Sequence, residues 1–96
     1  MYVRITPTEK AHLVEPEVVT ALSVQIVGDA PHDLGKLGSF DGDHAWLGVN
    51  ALRAAAHQIG VADDWDEQFD GMLAFAKSRG WLSSSGSALR AHIDQV

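Results

Sequence analysis

The most regular alternation of hydrophobic and polar positions along the chain runs through residues 17–27. Pro16 precedes this segment and Gly28 follows it, so the period of two predicts one strand over 17–27. We expect its core face to consist of Val18, Thr20, Leu22, Val24 and Ile26. The other face is also largely apolar, and it consists of Val19, Ala21, Ser23, Gln25 and Val27. A helix or another subunit is therefore expected to cover this second face.

Residues 43–59 fit two different structures. In the first, one helix capped by Asp43 spans the whole segment. In the second, 44–49 is a strand and Asn50 caps a helix over 51–59. The second structure is favoured because a glycine inside a helix costs about 1 kcal/mol relative to alanine, and asparagine is a good cap.

Apolar residues at helical spacing predict a helix between Asp64 and Gly80. Its core stripe comprises Trp65, Phe69, Met72 and Ala76. Glu67 is placed to complete a capping box with Asp64. Trp81 is expected to fold back on the last turn and join the core, whereas Phe75 lies off the stripe.

Two shorter segments complete the expected architecture. Residues 2–6 alternate and stop at Pro7, which predicts a short strand near a sheet edge. A serine run before residues 89–96 offers caps for a final short helix with Leu89 and Ile93 on its apolar side. Strands followed by helices predict a single α+β domain over 1–96, with a small antiparallel sheet in the N-terminal half packed by two or three C-terminal helices.

Composition restricts the class of partner. The 96 residues carry a net charge of −6 and contain no cysteine. The chain therefore has no basic patch to neutralise phosphates, and we expect neither nucleic acid nor a membrane surface as a partner. No disulfide or thiolate site is available. No signal peptide or long apolar run is recognisable, so the expected location is the cytoplasm.

Residues 28–44 form a long connection rich in glycine, aspartate and histidine, and connections of this length often carry function. Either His32 or His44 could act as a general base, with Asp41 or Asp43 as the carboxylate that orients it. The segment faintly resembles a calcium loop, but the glutamate required at its twelfth position is replaced by a leucine. We therefore expect no metal and no cofactor.

Large aromatic rings are numerous for so small a chain. Phe40 and Trp46 flank the Asp-Gly-Asp-His turn, where they could line a small apolar ligand site or half of a protein interface. Phe75, Val19 and Val27 are further candidates for such a surface.

The sequence matches no motif with a defined chemistry. The favoured hypothesis is a small accessory or protein-interaction domain that acts by binding, either to itself or to a larger partner. The alternative is a small cofactor-independent enzyme, such as an isomerase, cyclase or lyase, that uses a histidine and aspartate pair as its general base.

Overall fold

A computed structural model describes all 96 residues and shows six strands and two α-helices. Along the chain the elements are β1 (Tyr2–Ile5), β2 (His12–Val14), β3 (Ser23–Ile26), β4 (Gly38–Asp41), β5 (His44–Gly48), α1 (Val49–Ile59), α2 (Trp65–Ser78) and β6 (Ala88–Gln95). A single 3₁₀ turn at Gly35–Leu37 precedes β4. The predicted α+β class is confirmed.

All six strands belong to one sheet with the order β2-β1-β3-β6-β5-β4. β3 runs parallel to both β1 and β6, while the pairs β1–β2, β4–β5 and β5–β6 are antiparallel. The sheet is therefore mixed, and the prediction of a small antiparallel sheet in the N-terminal half is met only in part, because two of the five pairings are parallel and β6 comes from the C-terminal half. Strand β1 also lies second from the edge, because the short β2 covers its outer side.

The predicted C-terminal helix is a strand. Leu89 and Ala91 are buried in β6 while Arg90 and His92 are exposed, which is the alternation of a strand with one face on the core. The spacing of Leu89 and Ile93 suits a helix as well as a strand, so a short segment of this kind is ambiguous by pattern alone. Pairing with β5 on one side and β3 on the other decides the outcome, because both edges of β6 gain hydrogen-bonded neighbours.

The strand predicted over 17–27 is limited to β3. Val24 and Ile26 are buried as expected, but the chain turns before them, with the Val18 N–H donating to the Glu15 carbonyl oxygen at 3.1 Å. Pro16 is drawn toward α2 because its carbonyl accepts a hydrogen bond from the indole Nε1 of Trp65 at 2.7 Å. The predicted core positions Val18 and Thr20 are consequently exposed.

Of the two structures that fit residues 43–59, the strand followed by a helix is the one that forms. Strand β5 ends at Gly48, which occupies the N-cap position of α1 with an extended backbone. Asn50 lies inside the helix and is not its cap, so that detail of the prediction was wrong. Gly60 ends α1 with a φ of 101°, a conformation that favours glycine.

Helix α2 begins after Asp64, as predicted, although the carboxylate of Asp64 bonds to the Gln68 side chain and makes no capping bond to the backbone. The sheet curls around α1, which contacts both β2 and β5. The core contains nineteen hydrophobic residues, and the largest of its fully buried side chains are Phe69, Ile5, Ile26, Leu47, Leu52 and Leu89. Neither helix is long and apolar enough to cross a membrane.

Ion pairs join the middle and C-terminal end of α1 to the first two turns of α2. Arg53 of α1 bonds to Asp66 and to Asp70 of α2, each at 2.8 Å, and its guanidinium carbon lies 5.0 Å from the centre of the Phe69 ring. His57 Nε2 lies 2.7 Å from Asp66 Oδ2. The hydrogen bonds from Arg53 and then from His57 lower the pKa of the Asp66 carboxyl.

Candidate functional site

A groove opens beside β6 because β3 is too short to pair with the whole of that strand. β5 pairs with β6 from Ala88 onward, whereas β3 joins only at His92. The chain after α2 covers part of the remaining edge, where the Arg90 N–H donates to the Trp81 carbonyl oxygen at 2.7 Å. A space is left between this edge and residues 19–22, the segment that leads into β3.

This space, which we call the β6 groove, has a volume of about 1010 Å³. Its walls are the segment 19–22, one face of α2, the Trp81 side chain, and residues 89–92 of β6 with the neighbouring His44. Nine of the fifteen lining residues are hydrophobic. A concave, mainly apolar site with a few polar groups is the usual composition of a ligand pocket.

The α2 wall presents Gln68, Gly71, Met72 and Phe75, whose spacing of three and four places them on one side of the helix. A Cβ atom built at Gly71 would meet nothing within 4 Å, so no neighbouring atom prevents a larger side chain at this position. The missing side chain instead leaves the middle of the wall open. Phe75 keeps 53% of its surface exposed beside this opening.

Phe75 and Trp81 form an aromatic pair at one end of the groove, with ring centres 5.9 Å apart in an edge-to-face arrangement. Arg79 lies over both rings, with its guanidinium carbon 5.3 Å from the Phe75 centre and 6.0 Å from the Trp81 centre. The Trp81 N–H donates to the Ala76 carbonyl oxygen at 2.9 Å, which is the predicted return onto the last turn. The ring remains 43% exposed, so the expectation that it joins the core was wrong.

The polar side of the groove carries His44, Arg90 and His92. An Arg90 Nη2 hydrogen bond joins His44 Nε2 at 2.8 Å, and His44 Nδ1 lies 2.8 Å from Asp43 Oδ1. Because a guanidinium can only donate, Nε2 carries the lone pair of a neutral ring and the Nδ1–H faces Asp43. His92 Nε2 lies 3.3 Å from Asp94 Oδ2.

The four residues predicted as catalytic do not converge. Asp43 and His44 are in contact, whereas Asp41 accepts a hydrogen bond from the Trp46 indole at 3.2 Å. His32 packs on the Phe40 ring with centres 5.4 Å apart and does not line the groove. Within the segment 28–44 that carries these residues, 28–34 is irregular, whereas 35–41 forms the 3₁₀ turn and β4, which makes a hairpin with β5.

The predicted aromatic pair is separated by the hairpin register. Phe40 faces Ala45 while Ser39 faces Trp46, so Phe40 and Trp46 project from opposite sides of the sheet. Phe40 packs against the core, and neither ring lines the groove. Of the other candidates, Phe75 and Val19 line the β6 groove and Val27 does not.

Sequence reasoning missed the contributions of Gly71, Met72, Trp81 and Arg90. One signal was available for α2, where the groove-facing residues lie beside the core stripe at helical spacing. No comparable signal marked Arg90, because its position in the groove depends on β6 being a strand beside β5.

A second depression of about 740 Å³ lies between α1 and the residues before β2. Alanines at 51, 54 and 55 form one side of it, and Lys10 and Lys36 lie on the other. Asp33, also at this depression, is engaged by the Gly35 N–H at 2.8 Å. Nowhere in the chain do three histidine, aspartate or glutamate side chains converge in an arrangement that could hold a metal ion.

Comparison with known proteins adds no further information about this site. No family model, no curated protein and no solved structure matches the chain. The groove geometry is therefore the basis for any functional assignment.

Proposed function

We propose that this chain is a small accessory domain that acts by binding, and that the β6 groove receives an apolar group of its ligand or partner. The observation that carries the proposal is the exposed pair of Phe75 and Trp81 at the groove wall. Fully burying a side chain of this size is worth about 1.5–3 kcal/mol. A bound apolar group that covers both rings would recover part of that free energy.

The rest of the lining supports the same function. Leu22 and Met72 supply partly exposed apolar surface, and the ionisable lining is limited to Arg90, His44 and His92. Methionine, arginine and large aromatic residues are also enriched where proteins contact each other. The groove therefore suits an apolar ligand, a segment of a partner protein or a second copy of this chain.

The proposal can be tested with the neutral, fluorescent probe 1-anilinonaphthalene and ¹⁵N-labelled protein. We expect the probe to shift the amide resonances of Met72, Phe75 and Trp81. Replacement of Gly71 by Leu fills the open middle of the wall and should abolish these shifts. The same replacement at Ala74, an exposed position of α2 outside the groove, is the control and should leave them unchanged. Shifts confined to other surfaces, or equal binding by G71L, would show that the groove is not the site.

Self-association can be tested by replacing either of two valines that have similar exposure. Val19 lines the groove and Val27 does not. If the partner is a second copy seated in the groove, Val19→Lys should convert an oligomer to monomer in native mass spectrometry, whereas Val27→Lys should not. An oligomer that survives both changes would place the contact elsewhere.

An enzymatic function is the second candidate, and the contact between Asp43 and His44 is the observation that favours it. The carboxylate is 2.8 Å from Nδ1, in the position of a group that orients a general base at the groove rim. In the present arrangement Nε2 is occupied by Arg90, so catalysis would require Arg90 to move. A general base contributes about 10²–10⁴-fold, so His44→Ala should reduce an isomerase, cyclase or lyase activity by that factor while His32→Ala leaves it unchanged. Equal activity of both variants would eliminate this candidate.

A further inference from the structure

We infer that the β6 groove binds small amphipathic acids, compounds with an apolar ring or chain and one carboxylate. The apolar body would lie against Phe75, Trp81 and Met72, and the carboxylate would bind Arg90. This inference rests on the proposed function and names the ligand class of the same site.

The first argument is the distribution of charge. The chain contains thirteen acidic and seven basic residues, yet no aspartate or glutamate is among the fifteen residues that line the groove. Its lining includes Arg90, and Arg79 lies over the aromatic pair at one end, whereas the lining histidines His44 and His92 already face Asp43 and Asp94. Arg90 thus gives the groove a permanent positive charge on a protein whose net charge is −6.

The second argument is the state of the Arg90 side chain. Its side chain bonds only to the His44 ring, with Nη2 at 2.8 Å from Nε2, and it forms no ion pair with a carboxylate. Arg53, by contrast, is bonded to two carboxylates. A guanidinium has five donors arranged to hold a carboxylate through two parallel bonds, which are stronger than a bond to a neutral ring. Arg90 therefore retains unused donors next to the apolar lining.

The third argument is the size and shape of the site. The volume of about 1010 Å³ is near the upper end of the range for pockets that bury a small molecule. The walls come from five separate segments that surround a concave site, unlike the flatter surface of most protein contacts. Trp81 and Arg90 are neighbours, because the Arg90 backbone N–H donates to the Trp81 carbonyl oxygen at 2.7 Å, so the site suits a compact ligand with one ring system and one acid group.

The test compares two probes that share the anilinonaphthalene skeleton and differ only by a sulfonate group. The first is 8-anilinonaphthalene-1-sulfonate, whose sulfonate stands in for a carboxylate, and the second is the neutral 1-anilinonaphthalene. Replacement of Arg90 by Gln should weaken binding of the sulfonate probe about tenfold, in line with the loss of a charge-assisted bond, and change the neutral probe by less than twofold. Arg4→Gln removes the same charge on β1, outside the groove, and should change neither.

Competition on the unaltered protein provides a readout that does not depend on the variant folding. Naphthalene-2-carboxylate should displace the sulfonate probe, and naphthalene-2-carboxamide should require at least a fivefold higher concentration. Equal displacement by the two compounds, or an R90Q protein that binds the sulfonate probe as the parent does, would overturn the inference. If the neutral probe still binds in the groove in that case, the proposed function survives. If neither probe binds, both proposals fail.

Discussion

Replacement of Gly71 by Ala should stabilise the protein, although it adds only one methyl group to the surface of α2. The position lies in the interior of a fourteen-residue helix, and its φ is not in the left-handed region. The added Cβ meets nothing within 4 Å, so there is neither a steric penalty nor a packing gain. The effect should therefore equal the difference in helix propensity, about 1 kcal/mol in favour of alanine.

This magnitude is large enough to measure. For a domain of this size, 1 kcal/mol corresponds to an increase in Tm of about 4–8 °C. The free energy of unfolding can be obtained from urea titrations followed by circular dichroism at 222 nm, with the slope m expected to remain unchanged. Glycine at 71 makes the helix less stable, and no neighbouring atom requires it. This fits the proposed binding function, in which the missing side chain leaves the groove wall open.

Two matched variants define the result that would refute this reasoning. Ala74→Gly, at an exposed position of the same helix, should lower stability by about 1 kcal/mol. Gly80→Ala should also destabilise, because Gly80 has a φ of 76° and alanine pays about 1 kcal/mol or more to adopt it. If G71A is no more stable than the parent while A74G loses the expected amount, Gly71 has a structural role that its surroundings do not reveal.

Two further predictions concern the bonds that hold α2. Trp65→Phe should lower the free energy of unfolding by about 2–4 kcal/mol in the same urea titration, because it removes the buried hydrogen bond to the Pro16 carbonyl and leaves a small cavity. Asp66→Asn should destabilise the protein at neutral pH, because the Arg53 hydrogen bond that lowers the pKa of this carboxyl favours its ionised form in the folded state. The contribution of Asp66 is fully present above its ordinary pKa of 3.8 and is lost as the pH falls through the lower folded value.

Each of these predictions has a clear contrary result. Trp46 also donates its indole N–H, but to an exposed carboxylate, so Trp46→Phe should cost less than 1 kcal/mol. If W46F and W65F lose equal free energies of unfolding, the hydrogen bond to the Pro16 carbonyl contributes no stability, and only the change in ring size matters. For Asp66, the stability curves of parent and D66N should converge as the pH falls from about 5 through 3.8 and below. A difference that stays constant over this range would show that the carboxylate charge is not what stabilises the folded state.

The sequence determined the elements whose local signals agree with each other. Helix α2 has a continuous apolar stripe with a glycine just beyond its last residues, and α1 is bounded by Gly48 and Gly60. The choice of a strand before α1 also followed from local energetics, since Gly48 would have weakened a longer helix. At these positions chain-local preferences and tertiary packing favour the same structure.

The segment 28–44 shows how a local signal can be read in the wrong way. Its glycines and aspartates predict a long connection, but Gly42 and Asp43 form the two-residue turn of a hairpin, with Gly42 at a φ of 61°. The buried Leu34 and Leu37 then anchor the chain before the hairpin. The candidate base and its carboxylate partner both lie in this segment, and only the pairing register decides that His44 and Asp43 meet while His32 lies apart.

Tertiary structure alone decided β6 and the groove. Leu89 and Ile93 fit a helix or a strand equally well over so short a segment, and the available edges of β5 and β3 selected the strand. The groove combines residues near positions 20, 72, 81 and 90, which are distant in sequence and meet only because β3 stops short of the start of β6. Composition and periodicity indicate which residues tend to be buried. They do not show where two strands will fail to pair, because that depends on how the whole sheet assembles.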